Sequence, residues 1–135
     1  MAAFYNQATL SYNGNTTTSN ITTGEILEVL SATKTALRDT YKANERVTYI
    51  ISILNSGSTA FTGLTITDNL GAITGTPTRY PLSFVADSLH YYINGTQVTA
   101  PTTTATAPLT LNGITIPAGG NAMIIYQALV NQYAP

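Results

Sequence analysis

Between Phe4 and Tyr12, the residues Phe4, Asn6, Ala8, Leu10 and Tyr12 alternate with Tyr5, Gln7, Thr9 and Ser11. A period of two puts the two sets on opposite faces of an extended chain, so a half-buried strand is predicted, with Asn6 on its more apolar face. Asn13 to Gly24 is polar apart from Ile21 and reads as a linker or an exposed extended arm. A second strand is predicted from Ile26 to Thr35. In a third, Val47, Tyr49, Ile51 and Ile53 alternate with Thr48, Ile50, Ser52 and Leu54. Being apolar on both faces, this third strand should lie inside its sheet.

Asn55-Ser56-Gly57-Ser58 makes a turn, after which Leu64, Ile66 and Asp68 share one face, leaving a carboxylate on an apolar surface. His90 to Ile93 and Thr96 to Val98 flank Asn94-Gly95, the strongest short hairpin signal. Leu109 to Ile116 predicts a strand turned or bulged at Asn112-Gly113. Pro117 to Gly120 predicts a turn, and the alternation of Ala122, Ile124, Tyr126, Ala128 and Val130 predicts a last strand. Strands at intervals of about 8 to 12 residues with no sustained helical period point to an all-β, immunoglobulin-like two-sheet sandwich. Glu25 to Arg46 has room for one helical turn.

Composition agrees. The 135 residues are enough for one domain that buries roughly two-thirds of its unfolded surface. The 25 Thr and 11 Asn favour strands and turns, and the absence of Cys leaves the fold without disulfides. Charged residues make up only 8%, against about 25% in ordinary globular chains, so hydroxyls and amides must carry solubility. Eight of the eleven charges fall between Glu25 and Arg46. A net charge of -1 without a basic stretch argues against nucleic acid and anionic membranes as partners. No apolar run approaches the about 20 residues that span a bilayer. The first residues lack the basic start and apolar stretch of a signal peptide, so either a leader was cleaved and Met1 added or export takes another route.

Lys34-Thr35, then Arg46 to Ser58, then Leu64-Thr65-Ile66-Thr67-Asp68-Asn69-Leu70, and finally Ile116-Pro117-Ala118-Gly119-Gly120, form a set spread over Ile26 to Val130. As a set they resemble the conserved repeat domain of bacterial surface proteins catalogued as unknown-function family eleven. In such repeats a closing strand of the form Asn-x-Ala-x-Val follows the strand after the Pro-Ala-Gly turn. Here its match, Asn6-Gln7-Ala8-Thr9-Leu10, stands ahead of the domain, as if one repeat had been cut out of register. The resemblance thus divides the chain into a donor strand over 1–13, a Thr/Asn-rich connector over 14–24 and a sandwich over 25–135.

A sandwich without its last strand leaves a row of unpaired backbone groups beside an open apolar groove, a template for another strand. Phe4, Asn6, Ala8, Leu10 and Tyr12 of one subunit would fill the groove of the next, head-to-tail, and generate an open filament. Alternatively the arm closes its own domain, since a connector of about 12 residues reaches roughly 40 Å when extended.

Fimbrial domains related to these repeats make Lys–Asn isopeptide bonds assisted by a buried acid. The resemblance implies Lys34 as the amine, Asn6 as the amide and Asp68 as the acid. The plainer reading pairs Lys34 with Glu28 or Asp39 at the surface, uses Asp68 to cap a turn through Asn69, and leaves Asn6 to bond backbone.

Catalysis finds little support. His90 is the only histidine and has no acidic neighbour at triad or metal spacing, and Ser31, Ser52 and Ser83 lack a nucleophile elbow. No cofactor or metal is expected, calcium included. Three glycosylation triplets, at Asn15, Asn20 and Asn94, are unremarkable in a chain this rich in Thr and Asn. Tyr5, Tyr41, Tyr91 and Tyr92 offer either a binding face for carbohydrate or protein, or cross-strand pairs. Two functions follow: a structural subunit of an extracellular bacterial filament on a cell or spore surface, with other copies of itself as partners, or a stand-alone adhesion or ligand-binding module.

Overall fold

In the computed structural model, which describes residues 2–26 and 29–135, the chain is all-β apart from one 3-10 turn at Ala86–Ser88. The strands are β1 (Ala2–Asn6), β2 (Thr9–Tyr12), β3 (Asn15–Thr18), β4 (Thr22–Ile26), β5 (Leu30–Ala36), β6 (Arg46–Asn55), β7 (Phe61–Asp68), β8 (Leu82–Phe84), β9 (His90–Ile93), β10 (Thr96–Val98), β11 (Thr102–Thr106), β12 (Leu109–Ile116) and β13 (Asn121–Val130). One sheet runs β10-β9-β13-β6-β5, with β8 also on β13, and faces a second sheet, β11-β12-β7. Together they make a two-sheet β-sandwich.

The alternation in the sequence becomes burial. In β13 the even positions from Ala122 to Val130 are all buried, and from β12 the side chains of Leu109, Leu111, Ile114 and Ile116 meet them. Each apolar group removed from water contributes about 25 cal/mol per Å². β6 lies between β13 and β5, as its two apolar faces require. Gly113, at φ 79°, sits where the β12–β7 register shifts, which makes Asn112-Gly113 a bulge within one strand.

Asn55 and the turn at Pro117 to Gly120 lock one end of the sandwich. The fully buried Asn55 donates from Nδ2 to the carbonyls of Thr59 and Pro117 at 2.9 and 3.0 Å, and its Oδ1 accepts from Gly57 N–H at 3.0 Å. Gly119 N–H donates to the Gly57 carbonyl at 2.9 Å, so the Asn55 turn and the Pro-Ala-Gly turn are one hydrogen-bonded unit. A buried amide left without partners would cost about 1–3 kcal/mol, so these residue types hold each other in place.

Several expectations need correction. The strand expected over residues 26–35 is found at Leu30–Ala36, Ile26 ends β4, and residues 27 and 28 lie outside the described residues. Residues 29–46 contain no helical turn. The strand expected from Phe4 to Tyr12 is interrupted at Gln7-Ala8, and the connector expected over 14–24 contains β3 and the start of β4. The cause is Asn13-Gly14. With φ of 47° and 78° it makes a two-residue hairpin turn that folds the arm back on itself. Tyr91 is buried, not exposed, and Tyr41 and Tyr92 are half-buried, which leaves Tyr5 alone of the four tyrosines fully on the surface.

Candidate functional site

The two flanks of the sandwich differ. On one, β10 and β11 are consecutive strands, and the chain crosses between the sheets there. On the other, among the described residues, β5 and β7 are both edge strands, each paired on one side only. Register places Leu30, Ala32, Lys34 and Ala36 of β5 opposite Asn55, Ile53, Ile51 and Tyr49 of β6, so these β5 side chains share the face that points between the sheets. Even so, Ala32 and Lys34 are exposed, and Leu64 and Ile66 on the facing side of β7 are only half-buried. The flank is an open groove with an apolar lining.

Lys34 and Asp68 meet across this groove. Lys34 Nζ donates to Asp68 Oδ2 at 2.6 Å; the lysine side chain is 40% exposed and the aspartate 4%. Tyr126 donates its hydroxyl to the same Oδ2, and Leu70 N–H donates to Oδ1 at 2.9 Å. Lys34 Nζ also stands 4.3 Å from the centre of the Tyr49 ring, a cation–π contact, and the Tyr49 and Tyr126 rings are 5.8 Å apart. A cavity of about 320 Å³ beside the pair is lined by Lys34, Ile51, Thr67, Asp68 and Asn69.

Burial by itself pushes the Asp68 carboxyl up. The hydrogen bonds from Lys34, Tyr126 and the Leu70 N–H outweigh it and hold the group below the usual carboxylate range. Burial, then the hydrogen bond to Asp68, pushes the Tyr126 phenol far up, so it stays a donor at every physiological pH. Tyr49 is raised by burial and by its neighbours Tyr41 and Asp68. The contact is a salt bridge whose lysine end is the more exposed of the two.

Of the three residues implicated by resemblance, the fold brings two together. Lys34 pairs with Asp68 and not with Asp39, while Glu28 lies outside the described residues. Asp68 also caps its turn, though onto Leu70 N–H; the next side chain, Asn69, accepts from Gly71 N–H at 3.1 Å. Asn6 ends β1, exposed, with its carbonyl accepting from Thr22 Oγ1 at 3.3 Å. Sequence reasoning missed Tyr126 and Tyr49. A tyrosine at the centre of a strictly alternating strand is buried and must place its hydroxyl, and an inward aspartate is the partner to look for.

Elsewhere, His90 Nδ1 lies 3.2 Å from Gln97 Nε2, and Ser88 Oγ donates to the Val85 carbonyl at 2.6 Å and accepts from Gln127 N–H at 2.8 Å. Neither His90 nor Ser88 has an acidic side chain among these partners. Among the described residues no three of His, Asp and Glu gather as metal ligands.

No protein-family model matches the chain, and no curated protein matches it. Among solved structures, the chain is similar to the pilus backbone (RrgB) from Streptococcus pneumoniae, with a TM-score of 0.59 at 12% identity over 78% of this chain. The match spans 47% of that chain, so what is shared is the sandwich.

Proposed function

We propose that the protein is a structural subunit of an extracellular bacterial filament, on a cell or spore surface, and that it polymerises head-to-tail by placing its N-terminal segment in the β5–β7 groove of the next copy. The observation that carries this reading is the flank where inward-facing Ala32 and Lys34 stay exposed beside two strand edges that have no partner among the described residues. The arm supplies the complement, with Phe4, Leu10 and Tyr12 all solvent-exposed. Likeness to a pilus backbone sandwich supports the same reading, and the low charge suits subunits that must pack without repulsion.

A Lys34–Asn6 isopeptide bond seals the joint. A docked strand excludes water from the lysine, and desolvation favours the neutral amine and acid over the ion pair. Across the 2.6 Å contact, the proton moves from Lys34 Nζ to Asp68. The free amine attacks Cγ of the neighbour's Asn6 while protonated Asp68 polarises the amide oxygen. The new Cγ–Nζ bond forms, the old Cγ–Nδ2 bond breaks, and nitrogen leaves as ammonia with protons returned through Asp68.

Electron microscopy of the purified protein before and after boiling in denaturant tests both steps, with intact mass in parallel. Filaments whose boiled ladder loses about 17 Da per link support the sealed joint. Filaments that dissolve to monomers of unshifted mass retain strand donation and remove the bond. Monodisperse particles, or polymers from a variant lacking residues 1–13, would overturn strand donation and leave the adhesion module.

A further inference from the structure

The arm has more structure than a strand and a tether. β1 pairs with β4 at five positions, from Ala2↔Ile26 to Asn6↔Thr22, and β2 pairs with β3 at four, from Thr9↔Thr18 to Tyr12↔Asn15. The interruption between them is hydrogen-bonded as well. Ser19 N–H donates to the Ala8 carbonyl at 2.9 Å, Ala8 N–H donates to Ser19 Oγ at 3.0 Å, and Gln7 Nε2 donates to the Ser19 carbonyl at 2.8 Å. The Phe4 ring lies over Gly24 where a Cβ would stand, a cross-strand packing that a larger residue would push aside.

The composition of β3 and β4 fits a strand partner better than a tether. A flexible connector is rich in Gly and Ser, whereas Thr16, Thr17, Thr18, Thr22 and Thr23 are β-branched and suited to a pleated surface. The hairpin tip is also two-faced. Leu10 and Tyr12 lie on one side, opposite Thr17 and Asn15, while the other side shows only the hydroxyls of Thr9, Ser11, Thr16 and Thr18. An isolated two-stranded hairpin is marginal in water, and one with an apolar face gains stability by laying that face on something. Among the described residues no ladder joins β1–β4 to β5–β13, so strand pairing with the arm's own sandwich does not supply that surface there.

We infer that the arm docks on the next copy as a closed two-stranded ribbon, with β1–β2 along the open flank and β3–β4 remaining paired as its hydroxyl-rich outer strand. This rests on the strand-donation reading and specifies its partner surface. The acceptor gains two strands, the ladders between β1–β2 and β3–β4 are never broken, and the Thr-rich segment covers the edge that a lone donor strand would leave apolar. A new sheet edge lined by Thr and Asn is blunted by hydroxyls and amides in a chain with few charges to spare.

A disulfide lock separates the two modes. Around the two-residue Asn13-Gly14 turn, Tyr12↔Asn15 is the hydrogen-bonded pair and Ser11↔Thr16 the adjacent non-hydrogen-bonded one. In such a pair the Cα atoms are about 4.5 Å apart, within the span of a disulfide. The native chain has no cysteine to interfere. The double variant Ser11→Cys, Thr16→Cys should polymerise when oxidised as it does when reduced, with no loss of filament by electron microscopy. Filaments that appear only after reductant is added would show that the strand must leave its partner, which overturns the ribbon and keeps strand donation. Hydrogen exchange on the unaltered protein decides the case in which the double variant fails in both states. Amides of β3 and β4 that stay protected in the filament, with new protection on β5 or β7, support the ribbon, and loss of β3–β4 protection overturns it. No new protection on either edge strand would overturn strand donation itself.

Discussion

Two hairpins in this chain turn on the same dipeptide. Asn13-Gly14 has φ of 47° and 78°, and Asn94-Gly95 has 49° and 82°. Locally they are the same object, yet beside the first Tyr12 is 72% exposed, whereas three residues before the second Tyr91 is 4% exposed. The second hairpin enters the sandwich through β9, which pairs with β13 from Ala122↔Ile93 to Ile125↔His90. Tyr91 anchors it, with its hydroxyl donating to the Thr115 carbonyl at 2.8 Å and accepting from Thr115 N–H at 2.9 Å. Asn94 Oδ1 accepts from Asn121 N–H at 2.9 Å and ties the turn itself to the core sheet. Among the described residues, the first hairpin pairs only within the arm, through β2–β3 and β1–β4. Turn chemistry makes a hairpin, and a third strand with an apolar face makes it part of a fold.

The largest effect should come from the anchor. Tyr91→Ala should destabilise the sandwich by about 3–5 kcal/mol in chemical denaturation, because it opens a cavity and leaves the Thr115 backbone unpaired, while Tyr12→Ala should stay within about 0.5 kcal/mol. Comparable losses from both would break the comparison.

Acid should act on the sandwich through Asp68. Its carboxyl is held below the usual range in the fold, so its contribution is present above the unfolded value of about 3.9 and is lost as pH falls through the lowered folded value. Asp68→Asn should therefore cost about 1–3 kcal/mol at neutral pH, and the difference from the unaltered protein in thermal melts should shrink as pH drops below about 4. A difference independent of pH would remove Asp68 as the cause.

The two turn glycines sharpen the contrast. A Cβ at positive φ costs about 1–2 kcal/mol, so Gly95→Ala should lower the global melting temperature, whereas Gly14→Ala should leave it unchanged and speed amide exchange only within residues 2–26. Equal shifts in melting temperature would mean that the arm and the sandwich melt as one unit.

Strict alternation made β13 and β6 readable, because a strand buried on one face leaves a period of two in the residues themselves. The arm carries the same Asn-Gly signal at Asn13-Gly14, but Asn15 and three Thr follow it, and their polarity reads as a connector where β-branching is the better guide. Half of the candidate site was legible. Parity put Asp68 inward, and resemblance supplied Lys34. What remained hidden was the meeting across the groove, and with it Tyr126 and Tyr49, which lie 58 residues and 19 residues from Asp68 along the chain.

By itself, the sequence determined that this chain is all-β, where most strands of the sandwich run, which side chains fill its core, and that Asn94-Gly95 would turn a hairpin. These are local properties of alternation, side-chain shape and permitted φ. Only the tertiary structure decided that one flank stays unclosed, that Lys34 and Asp68 share that opening under two tyrosines, and that one hairpin joins the core while its twin does not. Those outcomes depend on which strand edges find partners, and edge pairing is a contest among segments distant in sequence that no local pattern records.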